Sequence, residues 1–325
     1  MIDVDRRAGL NQAKMDSLLR ETFPDSQFEP IQTKIGAMRS NGTQKFLYAP
    51  NENVSPLAIS LALATDETDI NLVVDASDHL LLEQTMGLAT KHRLWVVEGN
   101  KLVPHPELKL EERHAPQPLN PTIASLLETN GCEIVQENGM TKGEIKGLEV
   151  ARVVEGSEGE SALQVGVGIY DQEAHKLVDG NESTEEKLSR VVSEVLHYRN
   201  KQARPHPLNR VSRPKWLISE LVNSPENSGL EEVRRLPVAT ESKAITETTP
   251  AAALARVENT KVLIVASVGV DLNAIPIASG LSVSTQADEI WMIQSERDKY
   301  PVLERQAKHL KVPHRFLKTE EPWPS

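Results

Sequence analysis

Apolar residues early in the chain switch between two periods. Leu10, Met15, Leu18 and Leu19 fall at helical spacing within residues 3–23, and Pro24 ends the run. Phe46-Leu47-Tyr48 reads as a short strand. Ser55 before Pro56 is a helix start, and the helix is expected to run to Ala64. Residues 71–75 form a buried-type strand and residues 93–98 a second one. Residues 77–92 between them predict a helix with Leu81, Met86 and Leu88 inward. Strand, helix, strand at this spacing implies a parallel pair. Residues 101–104 add a strand that Pro104 ends.

After a polar, proline-bearing stretch, Asn120 before Pro121 starts a helix that Asn130-Gly131 stops. Residues 132–136, 147–154 and 162–169 then predict three strands in an antiparallel meander. Asp171 caps a helix expected through Val178. Ser183 with Glu186 opens another, with Leu188, Val191, Val192, Val195 and Leu196 on its buried side to about Tyr198. Residues 216–222 predict a helical turn or two, and residues 237–250 read as a flexible connector. Strands at 261–266, 289–293 and 315–317 alternate with helices at 272–281 and 300–310, a β-α-β-α-β unit.

The fold class is therefore α/β, mixed α+β and multidomain. An N-terminal βαβ region spans 1–115, and a central meander with flanking helices spans 116–199. A basic arm and connector cover 200–250, and a Rossmann-like unit covers 251–325.

Charge changes the picture at one place. The 325 residues carry 36 Lys and Arg against 47 Asp and Glu, a formal charge of −11. Residues 197–216 nevertheless hold Arg199, Lys201, Arg204, Arg210, Arg213 and Lys215 without one acid. Taking those six from the 36 leaves 30 bases against 47 acids, or −17, so the segment is a cationic island. Pro205, Pro207 and Pro214 are expected to hold it extended and deny it helix. Arg204, Arg210, Arg213 and Lys215 would then face a nucleic acid or a phosphorylated ligand, with His206 and Asn209 reading a polar group beside them. The competing reading, set slightly ahead, has the arm clamp the second region to the third with its arginines paired to the protein's own acids.

The remaining chemistry narrows the field. A single cysteine, Cys132, excludes an intramolecular disulfide, and its default role is a small buried hydrophobe. No apolar run reaches the roughly 18 to 20 residues of a membrane span, so the expectation is a cytoplasmic protein without a membrane partner. Residues 105–114 join two histidines to carboxylates at a spacing that fits no zinc signature. No metal site, cofactor or protein partner is assigned. Gly269, Asp271 and Asn273, with Ser295, Arg297 and Asp298, fall after strands, where nucleotides bind in such sheets. Neither GxGxxG nor a P-loop is present, and the preferred reading makes Gly269 a turn and Asp271 a helix cap.

Helix, three antiparallel strands and helix over about residues 118–180 resemble the core of the restriction-endonuclease-like PD-(D/E)xK nucleases. The resemblance implies Mg²⁺-dependent phosphodiester cleavage, with Glu149 as the acid of the second strand and Gln164 in the acid position of the third. Gly166 stands where that family has its lysine. Glu128 or Lys146 are the candidates to replace it. That departure shifts the expectation to a non-catalytic protein with an anion-binding arm. A nuclease centred on Glu149, or an interaction protein without an anionic ligand, are the alternatives. Residues 171–178 (DQEAHKLV), 204–210 (RPHPLNR) and 213–217 (RPKWL) also resemble a bacterial protein family to which no function attaches.

Overall fold

The computed structural model describes residues 4–33, 35–50, 54–64, 69–106, 118–137, 139–156, 159–168, 182–238, 249–295, 297–298 and 300–324. They form a mixed α/β fold with three sheets that combine parallel and antiparallel strands. The chain divides into two compact units. One comprises Met1–Glu111, Leu272–Ile290 and Tyr300–His314, and the other Glu112–Asp271, Trp291–Lys299 and Arg315–Ser325.

The first unit opens with α1 (Val4–Thr22), followed by β1 (Glu29–Ile31), β2 (Ala37–Ser40) and β3 (Gln44–Tyr48). Then come α2 (Pro56–Leu63), β4 (Asp69–Val74), α3 (His79–Met86), β5 (His92–Glu98) and β6 (Lys101–Pro104). These strands form one sheet in sequence order, with β4 and β5 parallel as expected, β3 also parallel to β4, and the outer pairs antiparallel. Met15, Leu18 and Leu19 of α1 bury against Phe46, Tyr48, Val73 and Leu102, whereas Leu10 is exposed. Each such burial is worth roughly 1.5–3 kcal/mol.

The expected helix over 77–92 is half that length. Its cap is Asp78, whose carboxylate accepts the Leu81 N–H at 2.8 Å, and Gly87 ends it, leaving Met86 outward and Leu88 buried.

The second unit contains α4 (Pro121–Thr129), β7 (Glu133–Glu137), β8 (Met140–Ile145), β9 (Leu148–Glu155), β10 (Ser161–Val165), α5 (Thr184–Tyr198) and α6 (Arg213–Asn223). The four strands form an antiparallel sheet in the order β10-β9-β8-β7. The meander thus has one strand more than expected, and Glu149 lies on its third strand rather than its second. β8 escapes a search for alternation because Lys142 and Glu144 share a face with other charges instead of with water. The opposite face is apolar. There Leu127, Ile145, Leu148, Val150 and Val165 pack with Leu188, Val191 and Val195 of α5, whose first turn carries the Ser183–Glu186 capping box.

The basic arm is not extended. Residues Pro207–Asn209 make a 3₁₀ turn, and Pro214 sits in the first turn of α6, where its missing N–H costs nothing. α6 therefore starts three residues before the expected turn at 216. Trp216, Leu217 and Ile218 bury it against Ala253, Val262, Ile264 and Trp323.

The third sheet orders β11 (Glu231–Leu236), β12 (Ala251–Val257), β13 (Thr260–Ser267), β14 (Glu289–Ser295) and β15 (His314–Thr319), with α7 (Ala274–Thr285) and α8 (Pro301–Ala307) in the connections. The expected β-α-β-α-β unit is present. β11 and β12 precede it, β11 antiparallel to β12 and β12 antiparallel to β13, and alanine-rich β12 lacks the β-branched signature that would announce it. α7 begins after Asn273, not at Asp271, and the Asn273 side chain accepts the Ser55 N–H at 2.9 Å. Both helices pack in the first unit. Ser279 donates to the Gln84 carbonyl at 2.6 Å, and a Cβ at Gly87 would stand 2.4 Å from the Ser279 carbonyl oxygen, so only glycine permits this approach.

The expected helix over 171–178, residues 107–114 of the two-histidine loop and 239–248 of the connector lie outside the described residues. Among the described helices none is long and apolar enough to cross a membrane.

Candidate anion-binding surface

The charged face of the four-stranded sheet is where the island's inner cations go. α6 carries Lys215, Ser219 and Asn223 at i, i+4 and i+8, one stripe along the helix. Lys215 Nζ reaches Glu137 at 2.6 Å and Glu144 at 3.3 Å. Ser219 donates to Glu133, and Asn223 Nδ2 donates to the same carboxylate at 3.0 Å. From β11, Arg235 pairs with Glu133 at 3.1 Å and Glu144 at 2.9 Å. Lys142 meets Glu149 at 3.3 Å, and Arg152 meets it at 2.8 Å.

Glu144 is at the centre, with 1% of its side chain exposed. Burial by itself would raise its pKa, but Arg235, then Lys215 and Lys142, outweigh that and hold the carboxyl at about 2. Glu144 and Glu137 reciprocally keep Lys215 above its ordinary value against its own burial. Paired charges of this kind confer geometry more than net stability, because desolvation cancels much of the attraction.

Arg199 is the second anchor. It closes α5, is fully buried, and has no carboxylate among its hydrogen-bond partners. Its guanidinium donates to the carbonyls of Leu208 at 2.7 Å, Val211 at 2.9 Å and Lys146 at 2.7 Å, and lies 4.3 Å from the Trp216 ring. Burial pushes its pKa down to about 9, with the Glu144 charge opposing, so it remains a cation at neutral pH. Lys146 and Gly147 both have positive φ, the geometry a tight hairpin turn demands, and they bring the turn between β8 and β9 beneath the arm.

The outer cations form a different set. Arg204 and Arg210 are exposed, and neither has an ion pair among the described residues. Asn209, buried, donates through Nδ2 to the Arg204 carbonyl at 3.0 Å and closes the 204–209 loop. His206 accepts the Leu208 N–H on Nδ1 at 3.3 Å and stacks on Tyr198 at 3.7 Å between ring centroids. Arg213 donates to the Asn209 carbonyl at 2.9 Å and lies over Trp323 at 4.8 Å. Burial lowers its pKa. The charges of Arg210 and Arg297 act in the same direction, and Glu321 and Asp298 oppose them. Three guanidinium groups thus share the region beside the end of β14 with the carboxylates of Glu321 and Asp298. Asp298 there accepts the Gly269 N–H at 2.7 Å, and Arg297 stands 3.8 Å from Glu321.

The residues singled out in the sequence therefore separate. Arg210 and Arg213 come near Arg297, Arg204 stays exposed at the start of the loop, Lys215 turns inward and Asn209 serves the loop. Glu149 is held between two cations. Gln164 on β10 is the register partner of Arg152, itself the partner of Lys142, so these three sit side by side across the sheet. Among the described residues no group of three or more His, Cys, Asp or Glu is placed to hold a metal ion. Sequence reading missed Glu133, Glu144 and Arg235, and placed Arg297 only at the end of a strand, apart from the arm. The polar stripe of α6 was the available signal for the first three, and Arg297 joins the arm only through folding. Comparison with protein families, curated proteins and solved structures finds no match for the chain.

Proposed function

We propose that this is a non-catalytic, cytoplasmic binding protein for phosphate-bearing anions, held by Arg204, Arg210, Arg213 and Arg297. The observation that carries the reading is that Arg204 and Arg210 stand exposed without an ion pair among the described residues, in a closed loop that leads to half-buried Arg213, although the chain as a whole is at −11. Like charges gathered on an open surface repel one another, and an anion in their midst relieves that repulsion. Arginine forks suit phosphate oxygens, and a loop already closed by Asn209 and anchored by Arg199 loses little freedom on binding. The non-catalytic part is supported by Glu149, whose carboxylate is already committed to Lys142 and Arg152, and by the absence of a side chain at Gly166.

The test uses a fluorescent abasic phosphodiester strand as probe, followed by anisotropy at low salt. Wild-type protein is expected to bind it. The Arg204→Ala/Arg210→Ala variant should bind about ten-fold or more weakly with an unchanged melting temperature, because neither side chain is in an ion pair. Equal binding by the variant would sink the proposal, as would no binding by the wild type.

A further inference from the structure

The arm presents rings as well as charges. Tyr198, the last residue of α5, and His206 stack nearly parallel, 3.7 Å between centroids and 11° between planes, and His197 meets the Tyr198 edge at 4.8 Å and 80°. Both stacked rings are only half-buried. Arg204 and Arg210 flank His206 in the same closed loop, so an exposed guanidinium stands on either side of the stack along the chain.

The stack is fixed in advance from both ends. Tyr198 belongs to a helix whose buried face is locked by Leu188, Val191 and Val195, and the Arg199 beside it donates to the Leu208 and Val211 carbonyls of the arm. His206 accepts the Leu208 N–H on Nδ1, so in the neutral ring the proton is on Nε2, a donor on the far side. Alternating cations with a preformed aromatic stack is the pattern that binds single strands. The charges track the backbone, and a base extends the stack whatever its identity.

We infer that the arm binds single-stranded nucleic acid, a base continuing the Tyr198–His206 stack while Arg204 and Arg210 hold the phosphates on either side of it. This rests on the anion-binding reading above and narrows it to a ligand that must carry unpaired bases. A duplex keeps its base faces inside its own stack and offers only phosphates.

The experiment compares four probes at equal phosphate concentration by anisotropy: a 12-residue thymidine strand, an abasic strand of the same length, a duplex and inorganic polyphosphate. The thymidine strand is expected to bind roughly ten-fold more tightly than the abasic strand, the size of one stacked base. His206→Ala should bring thymidine binding down to the level of its abasic binding, and His206→Phe, which restores a ring face, should recover the preference. Arg210→Ala should weaken both strands by the same factor. Equal affinity for thymidine and abasic strands, tighter binding of the duplex, or a preference that survives His206→Ala overturns the inference while leaving anion binding intact. Failure of all four probes to bind removes the anion-binding reading itself.

Discussion

Arg199 occupies a position few charges tolerate, buried with its two terminal guanidinium nitrogens donating to three carbonyls. Arg199→Ala would strand those carbonyls and is expected to cost about 3–5 kcal/mol, measured by urea unfolding. Arg199→Lys should recover little of this, since an ammonium cannot span three acceptors in a plane and lie on Trp216.

Glu144 gives a pH dependence with a definite sign. Its folded pKa of about 2 lies below the ordinary 4.5, so its contribution is fully present above pH 4.5 and is lost as pH falls toward 2. Acid titration of stability should show a loss on the order of a few kcal/mol in that window, and Glu144→Gln should abolish that part of the slope. At Cys132 burial first, then the Glu133 charge, pushes the thiol up to about 12. Thiol reagents at pH 8 should therefore label it only after unfolding. The burial of Cys132 was legible in its sequence setting. The fate of Arg199 was not, because composition counts charges without saying which of them a tryptophan and three carbonyls will enclose.

At the level of elements, α6 is a two-sided joint. Trp216, Leu217 and Ile218 face one sheet, and Lys215, Ser219 and Asn223 face the acids of the other. The hairpin turn beneath it depends on Gly147, at φ +74°, where an added Cβ would stand 2.4 Å from the Lys215 carbonyl carbon. Gly147→Ala combines backbone strain with that clash and is expected to lower stability by about 2 kcal/mol or more, again by urea unfolding. Elements with a chemical start signal were readable in the chain: α2 from Ser55-Pro56, α4 from Asn120-Pro121, α5 from its capping box. Elements defined by tertiary contact were not. β8 has an ionic face, β11 is charged throughout its first residues, and β12 is mostly alanine. The proline-stiffened arm misled for a related reason. Pro214 breaks a helix from within but favours one at its first turn, and position in the helix is a property of the fold.

Across the whole molecule, one cationic island in a chain at −11 divides into an inner and an outer set. Arg199 and Lys215 turn inward and join sheet to sheet within the second unit, and Lys201 pairs with Glu320. Arg204, Arg210 and Arg297 are exposed, and Arg213 is half-buried. Only the outer set should make binding sensitive to salt, and only the inner set should make the fold sensitive to mutation. The most direct measurement is the slope of log affinity against log salt for a single-stranded oligonucleotide. Each engaged phosphate contributes roughly −0.7 to that slope. Wild-type protein should give about −2 to −3, and Arg204→Ala/Arg210→Ala should reduce its magnitude by roughly 1.4 without altering the urea midpoint. An unchanged slope in the double variant, or a fall in its stability of the size expected for Arg199→Ala, would contradict the division.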